Sequence, residues 1–205
     1  MENRSYLPSK PKLLTALVLL MAALAVALFM LRQNPSGPLS SGTALIGGPF
    51  TMVNQKGETV TEKSFEGHFT LYFFGYTFCP DVCPTELQVV AAALNALGPT
   101  AANITPVFVS IDPERDTPAI IGAYVANFDP RLQGLTGTPV QVAQMARAFH
   151  VFYQKVPDAK NLGNYGMDHS SILYLMGPDG KFVKHFSYST DAKNLSEDLK
   201  KVLEQ

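Results

Sequence analysis

An apolar stretch near the amino terminus constrains this chain more than any other feature. Residues 13–31, LLTALVLLMAALAVALFML, contain no charged side chain, and about 20 apolar residues are enough for a helix to cross a bilayer. Basic residues outnumber the single acid before the stretch, whereas Arg32 is the only basic residue between the stretch and Lys56. Because a basic excess stays on the cytoplasmic side, we expect residues 1–12 in the cytoplasm, a transmembrane anchor at 13–31 and the remaining chain outside.

A cleaved signal peptide is the alternative interpretation, since it also joins a basic start to an apolar core. Signal cores usually span about 7 to 15 residues, and no small-residue cleavage pattern follows Leu31. An uncleaved anchor is therefore favoured. The basic start lacks the Arg- and Ser-rich stretch of a mitochondrial targeting sequence, which favours a single-pass protein of a bacterial inner membrane with its carboxy-terminal domain in the periplasm.

Composition separates the anchor from a folded domain. Residues 32–45 are rich in Pro, Ser and Gly, which predicts a flexible tether, and residues 46–205 are expected to form one globular domain. The chain has 16 Lys and Arg against 17 Asp and Glu; beyond residue 32 the balance is 12 bases against 16 acids, a net charge of −4. This balance excludes the electrostatic grip on phosphates that nucleic-acid-binding proteins need.

The hydrophobic pattern of the outer domain switches repeatedly between strand and helix periods, which indicates an α/β fold. Two unbroken apolar runs, at residues 69–76 and 104–111, are typical of buried strands. A hairpin is predicted on each side of this centre, one around Asn54 and Gly57 and one at residues 170–187. The predicted helices cover residues 85–97, 116–128, 138–149 and 191–203. This order matches a thioredoxin-like domain with an added N-terminal β-hairpin.

Cys79 and Cys83, the only cysteines of the chain, lie together where the first buried strand meets its helix. Free N–H groups and the helix dipole at such a junction favour thiolate over thiol. A disulfide between them would close a short loop and add little stability, so a redox or metal-binding role is favoured over a structural bridge. Their spacing is one residue wider than the C-x-x-C redox motif, and two thiolates one helical turn apart suit a soft ion of low coordination number.

Four segments of the outer domain resemble the Sco/SenC family. They are residues 75–84 (GYTFCPDVCP), 110–118 (SIDPERDTP), 135–138 (LTGT) and the pair Asp168-His169 before SSILYLMGPDGKF. The similarity covers residues 50–187, and therefore concerns the whole outer domain. One departure is Phe78, because many members of the family have His immediately before the first cysteine.

The resemblance implies a membrane-anchored, thioredoxin-like copper protein whose ligands are Cys79, Cys83 and His169. Chemistry allows that set, because thiolates select Cu(I) and an imidazole adds affinity for Cu(II), so copper can be held in either state. We expect His169 on the loop that enters a late strand, in the space that a cis-proline fills in thioredoxins. Asp168 is expected to orient the imidazole.

The other histidines and Met167 have simpler interpretations. Surface positions are expected for His68 and His185, and partial burial beside a strand for His150. Met167 precedes His169 by two residues and could offer a thioether, but gap filling in the core is the commoner use of methionine.

Four acidic residues could be interpreted as a site for a hard metal ion. They are Asp81, Asp112, Glu114 and Asp116. The adjacent prolines and Thr117 favour a turn and the start of a helix instead.

Three functions fit these observations. A metallochaperone would hold copper outside the membrane and pass it to an acceptor. The resemblance implies that this acceptor is the dicopper centre of cytochrome c oxidase subunit II, and another extracytoplasmic copper protein is the alternative. Such a chaperone would need an upstream copper donor and a thiol reductant. A thiol-disulfide oxidoreductase would attack a partner's disulfide with Cys79 and resolve the intermediate with Cys83. A peroxidase would oxidise one cysteine to a sulfenate. Replacing His169 by Ala separates the first two, because only copper binding depends on the imidazole.

Overall fold

The computed structural model describes residues 18–26, 29, 45–157 and 164–204. Residues 18–26 are helical, and most of their apolar side chains are exposed. Within the described ranges, no helix combines the length and the apolar character that crossing a bilayer requires. The predicted cytoplasmic segment 1–12, nine of the 19 residues of the predicted anchor at 13–31 and nearly all of the tether at 32–45 lie outside the described residues, so these assignments stay predictions.

A compact unit, Ala44–Gln205, contains the strands and helices that position the two cysteines and His169. Its strands are β1 (Thr51–Asn54), β2 (Thr59–Thr61), β3 (Phe69–Gly75), β4 (Ile104–Ser110), β5 (Gln133–Thr136), β6 (Tyr153–Pro157), β7 (Tyr165–His169), β8 (Ile172–Met176) and β9 (Phe182–Ser187). Its helices are α1 (Val82–Leu97), α2 (Pro118–Val125), α3 (Pro139–Ala148) and α4 (Ala192–Leu203), with short 3₁₀ turns at Glu62–Phe65 and Gly98–Asn103.

Seven strands form one mixed sheet in the order β2-β1-β5-β4-β3-β8-β9. The central strands β3, β4 and β5 run parallel, and the strands at both edges are antiparallel. Both β3 and β4 are buried along nearly their whole length, as their continuous apolar sequences predict for strands covered on both faces. The α/β order and both predicted hairpins of the domain are confirmed.

Proline-led caps start two of the helices. Thr117 accepts a hydrogen bond from the backbone N–H of Ile120 and precedes α2, while Thr138 and Gln141 form a capping box that begins α3. Proline suits the first helical turn because its missing N–H has no partner there. The predicted helix starts at Thr117 and Thr138 are therefore confirmed.

Strands β5, β6 and β7 were not predicted. Strands β6 and β7 pair with each other in a separate two-stranded sheet, which we call the histidine hairpin. Residues 154–157 of β6 are exposed, so the strand has no apolar face to produce an alternating pattern. The predicted position of His169 on a loop was wrong in this detail, because His169 is the last residue of β7 and pairs with Tyr153.

Candidate metal centre

The two cysteines flank the start of helix α1. Residues 76–81, which we call the cysteine loop, connect the end of β3 to α1, and helix α1 begins at Val82, three residues earlier than predicted. Cys79 is therefore in the loop and Cys83 in the first helical turn. The backbone N–H of Cys83 donates to the Cys79 sulfur at 3.3 Å, which brings both sulfurs to the same end of the helix.

The sulfur of Cys83 lies against the end of strand β3. Cys83 is fully buried at 0% exposure, whereas Cys79 is partly exposed. A β-carbon on Gly75 would lie 2.8 Å from the Cys83 sulfur, closer than side chains normally approach. Glycine at this position therefore makes the room that the buried sulfur occupies.

His169 approaches the sulfurs from the histidine hairpin. Its Nε2 lies 3.5 Å from the sulfur of Cys83, and the two sulfurs and one ring nitrogen all lie within 4.8 Å of one another. Tyr76 packs edge-on against the imidazole, with ring centroids 6.0 Å apart. Residues separated by 86 positions in the chain thus bring three candidate ligand atoms together.

The expected role of Asp168 is not what the structure shows. Nδ1 of His169 lies 3.2 Å from the backbone carbonyl of Ser170, and Asp168 is exposed. A backbone carbonyl next to Nδ1 favours the tautomer with its proton on Nδ1, which leaves Nε2 free to face the sulfurs. The orienting acceptor is therefore Ser170, a position that sequence patterns do not single out.

The two thiols have different acidities. The hydrogen bond from the Cys83 side chain lowers the pKa of Cys79 to about 3 against the opposing effect of burial. The same contact and burial raise the pKa of Cys83. In the absence of a bound metal, Cys79 is accordingly the thiolate and Cys83 the protonated thiol.

The donor set fits a soft metal ion. Two cysteine sulfurs and an imidazole nitrogen match the preferences of copper, because thiolates favour Cu(I) and imidazole also suits Cu(II). A cavity of about 260 Å³ opens beside these atoms and is lined by Cys79, Met167, His169 and six further residues. In the described part of the chain, this is the one group of three or more Cys, His, Asp or Glu side chains close enough to share an ion.

The acidic residues of the loop after β4 are engaged in hydrogen bonds and ion pairs. We call residues 111–117 the acidic loop. Asp116 accepts hydrogen bonds from the Thr77 backbone N–H at 3.1 Å, the Thr77 hydroxyl at 2.6 Å and the Ser110 hydroxyl at 2.6 Å. Burial raises its pKa, although these three donors oppose the shift. Asp116 thus fastens the cysteine loop to the acidic loop, a contact that the sequence did not predict.

The remaining candidates have structural or surface positions. His68 and His185 are exposed, as predicted. His150 is exposed as well and has a backbone φ of +55°, so its predicted partial burial was wrong. Met167 is buried in the hydrophobic core, which agrees with the gap-filling role expected from its sequence.

The sequence did not predict the positions of two charged residues near the sulfurs. Arg115 lies among the aromatic rings of Tyr76, Phe78 and Tyr165, which its place in an acidic segment does not suggest. Glu86 is buried one turn after Cys83. The signal for Glu86 was available, because it falls on the same helical stripe as Cys83 and Val90.

Comparisons with known proteins agree with this geometry. The sequence profile described as SCO1/SenC matches residues 39–204. The chain is 41% identical over 170 residues to the mitochondrial protein SCO1 homolog 1 of Arabidopsis thaliana, covering 82% of this chain and 50% of the relative. It is 35% identical over 192 residues to the SCO2-like protein RP587 of Rickettsia prowazekii, covering 91% of this chain and 94% of the relative. The chain spans about half the length of the plant relative and nearly all of the rickettsial one.

Solved structures resemble the folded unit closely. The copper-bound ScoI of Arabidopsis thaliana is 40% identical with a TM-score of 0.74, and the alignment covers 78% of this chain and 99% of that chain. The copper-bound ScoI of Bradyrhizobium japonicum is 46% identical with a TM-score of 0.71, covering 76% and 98%. The fold of these relatives thus extends over the unit that carries the two cysteines and the histidine.

Proposed function

The chain belongs to the SCO1/SenC family, and on that premise we propose that it is a copper-binding protein of cytochrome c oxidase assembly. The proposed ligands are Cys79, Cys83 and His169. The observation that carries this proposal is the approach of two sulfurs and Nε2 of His169 to within 4.8 Å of one another. The two structural relatives described above, the ScoI proteins of Arabidopsis thaliana and Bradyrhizobium japonicum, have copper bound, which supports the same cargo here.

The two thiols contribute differently to copper capture. Cys79 is a thiolate at neutral pH because its pKa is lowered to about 3, so it can bind a metal ion without losing a proton. Cys83 holds its proton in the free site, and this proton leaves to solvent when the sulfur becomes a ligand. Ser170 keeps Nε2 of His169 available. Copper uptake at neutral pH should therefore release one proton from the site.

The proposed acceptor is the dicopper centre of cytochrome c oxidase subunit II. Three protein ligands leave coordination positions open, and the cavity of about 260 Å³ beside Cys79 gives an acceptor thiol access to the metal. The anchor predicted at 13–31 would place the folded domain on the periplasmic side of the inner membrane and raise its effective concentration near a membrane-bound acceptor. A copper donor and a thiol reductant complete the proposed cycle.

A thiol-disulfide oxidoreductase is the second candidate. It is favoured by the difference between the two cysteines in exposure and in pKa. Cys79 is an accessible thiolate that can attack a partner's disulfide and form a mixed disulfide. Cys83 then loses its proton, attacks the sulfur of Cys79 and releases the partner in its reduced form. The Cys79–Cys83 disulfide that results must be reduced by an external dithiol before another cycle. Such a reaction could prepare the acceptor's cysteines for copper.

Metal analysis and competitive copper titration of the reduced full chain test the first proposal. Wild type should bind one copper ion, Cys79→Ser and Cys83→Ser should lose tight binding of both copper states, and His169→Ala should lose at least about tenfold in Cu(II) affinity. His185→Ala is the matched control, because His185 is an exposed histidine away from the sulfurs. A Cu(II) affinity of His169→Ala equal to that of wild type would refute the proposed ligand set.

Transfer is tested with the purified soluble domain of subunit II in its reduced, copper-free form. The copper-loaded chain should generate the absorption of the dicopper centre, and the His169→Ala chain should not. Disulfide reduction in a model substrate should survive in His169→Ala, since it requires only the two thiols. Activity in the second assay without copper transfer in the first would favour the oxidoreductase.

A further inference from the structure

The proposed ligand atoms come from the cysteine loop, helix α1 and the histidine hairpin, and the acidic loop contacts the first and the last of these. Cys79 lies in the cysteine loop, whereas His169 is the last residue of β7 in the histidine hairpin. The acidic loop, residues 111–117, follows β4 in the centre of the main sheet. Because β4 is buried between β3 and β5, this loop has a rigid base from which it can hold the other two segments.

The histidine hairpin is fastened to the acidic loop through both of its strands. On β7, the hydroxyl of Tyr165 donates to Asp112 at 2.8 Å, and Nη1 of Arg115 donates to the Tyr165 carbonyl at 2.9 Å. On β6, the ammonium group of Lys155 forms an ion pair with Glu114 at 2.5 Å. The Lys155 pair is exposed and contributes little, so the contacts around Tyr165 carry the attachment.

Arg115 is placed where it contacts both ligand-bearing segments. Its guanidinium carbon lies 3.7 Å from the ring centre of Tyr165, the first residue of β7, and 4.7 Å from that of Phe78, which directly precedes Cys79. Tyr76 contributes a third ring at 5.7 Å. A guanidinium stacked on an aromatic face is attracted to it, because the cation meets the negative face of the ring. Arg115 thus bridges the cysteine loop and the histidine hairpin.

The orientation of Arg115 is fixed by its hydrogen bonds. Nε donates to the buried carboxylate of Asp112, which is fully buried. Within the described part of the chain, Nη2 is buried and has no hydrogen-bond partner, so this side of the guanidinium group is surrounded by the aromatic rings instead. A lysine could keep the charge but not this planar arrangement.

We propose that Arg115 is a positioning residue that holds His169 within reach of the two cysteine sulfurs and thereby determines whether the site retains Cu(II). Two thiolates alone satisfy Cu(I), whereas Cu(II) depends on the imidazole as well. Loosening β7 relative to the cysteine loop should therefore weaken Cu(II) binding and leave Cu(I) binding largely unchanged. This inference rests on the copper-binding function proposed above and concerns a residue outside the ligand set.

The test measures both copper affinities in the full chain, purified in detergent, with Arg115→Gln and Arg115→Lys. Cu(II) affinity should fall about 10- to 100-fold in Arg115→Gln, as is typical when support of a metal ligand is lost, while Cu(I) affinity measured against a chromogenic chelator stays within about threefold. The nitrogen hyperfine pattern of Cu(II) in electron paramagnetic resonance should weaken with it. The Cu(II) affinity of Arg115→Lys should be closer to that of Arg115→Gln than to that of wild type, because the planar guanidinium group is lost.

Arg131→Gln is the matched control. Arg131 is also a partly buried arginine in an ion pair, with Asp129 at 2.6 Å, and its other partner is Asn95 at 2.9 Å. The helical rise per residue places Asn95 about 18 Å away from Cys83 along helix α1. Both copper affinities of this control should equal those of wild type.

Three results would overturn the inference. They are wild-type Cu(II) affinity and spectrum in Arg115→Gln, equal losses of Cu(I) and Cu(II), and a Cu(II) loss of the same size in Arg131→Gln. If Arg115→Gln does not fold, Arg115→Lys and Tyr165→Phe decide by the same criteria. Absence of copper binding in wild type would instead refute the proposed function, so the two failures are distinguishable.

Discussion

Glu86 should make the stability of the folded unit depend on pH. It lies on helix α1 one turn after Cys83, is 1% exposed, and neither carboxyl oxygen has a hydrogen-bond partner among the described residues. Burial raises its pKa from the ordinary 4.5 to about 7, because a charged carboxylate is poorly solvated in the core. We therefore expect Glu86→Gln to stabilise the protein at high pH.

The size and sign of the effect follow from proton linkage. The folded chain keeps the Glu86 proton up to about pH 7, whereas the unfolded chain releases it near pH 4.5. The folded state therefore binds more protons in this interval, and its stability falls as the pH rises through it. A difference of about 2.5 between the two pKa values corresponds to about 3 kcal/mol. Glu86→Gln should match wild type at pH 4 and exceed it by roughly this amount above pH 8.

Urea unfolding of residues 45–205, followed by circular dichroism at several pH values under reducing conditions, measures this difference. The cysteines titrate in both proteins, so their contributions cancel in the comparison. Glu66→Gln is the matched control, because Glu66 is an exposed glutamate, and its stability should follow wild type at every pH. A Glu86→Gln protein no more stable than wild type at pH 9 would refute the assignment of a buried, protonated carboxyl.

Three further predictions concern the surroundings of the sulfurs. Gly75→Ala should destabilise the fold by about 1 to 3 kcal/mol and weaken copper binding, because the new β-carbon would lie 2.8 Å from the Cys83 sulfur; an unchanged melting temperature would contradict this. The rate at which iodoacetamide alkylates Cys79 should be nearly independent of pH between about pH 5 and 8, since the pKa of Cys79 is about 3. In Cys83→Ala this rate should increase with pH, because the hydrogen bond that lowers the pKa is lost. A steep increase of the rate with pH in wild type would contradict the prediction. Asp116→Ala should cost roughly 2 to 3 kcal/mol in urea unfolding, because it leaves the Thr77 N–H and two hydroxyl donors without their acceptor; a cost below about 0.5 kcal/mol would show that water replaces the carboxylate.

The sequence predicts the centre of this fold because burial leaves a strong pattern there. Strands β3 and β4 are covered on both faces, so their sequences are continuous apolar runs. The helices after Thr117 and Thr138 begin with cap and proline chemistry that acts over a few residues. Local interactions of this kind can be recognised without knowledge of the tertiary structure.

The histidine hairpin and its attachment could not be predicted in the same way. Strand β6 is mostly exposed, and contacts such as that between Arg115 and Tyr165 join residues 50 positions apart. Sequence patterns identified His169 through a motif, but they gave Asp168 the orienting role that the carbonyl of Ser170 fills. Backbone acceptors have no residue-type signature, so only coordinates reveal them.

The unequal exposure of the two sulfurs has a consequence for the proposed release of copper. Cys83 is sealed in the interior with Gly75 behind it, while Cys79 faces the cavity. If copper is bound by both sulfurs as proposed above, a visiting thiol would reach the ion only from the side of Cys79. The bond to Cys79 would then be exchanged first and the bond to Cys83 last, so the ion would stay bound to one of the two proteins throughout the transfer.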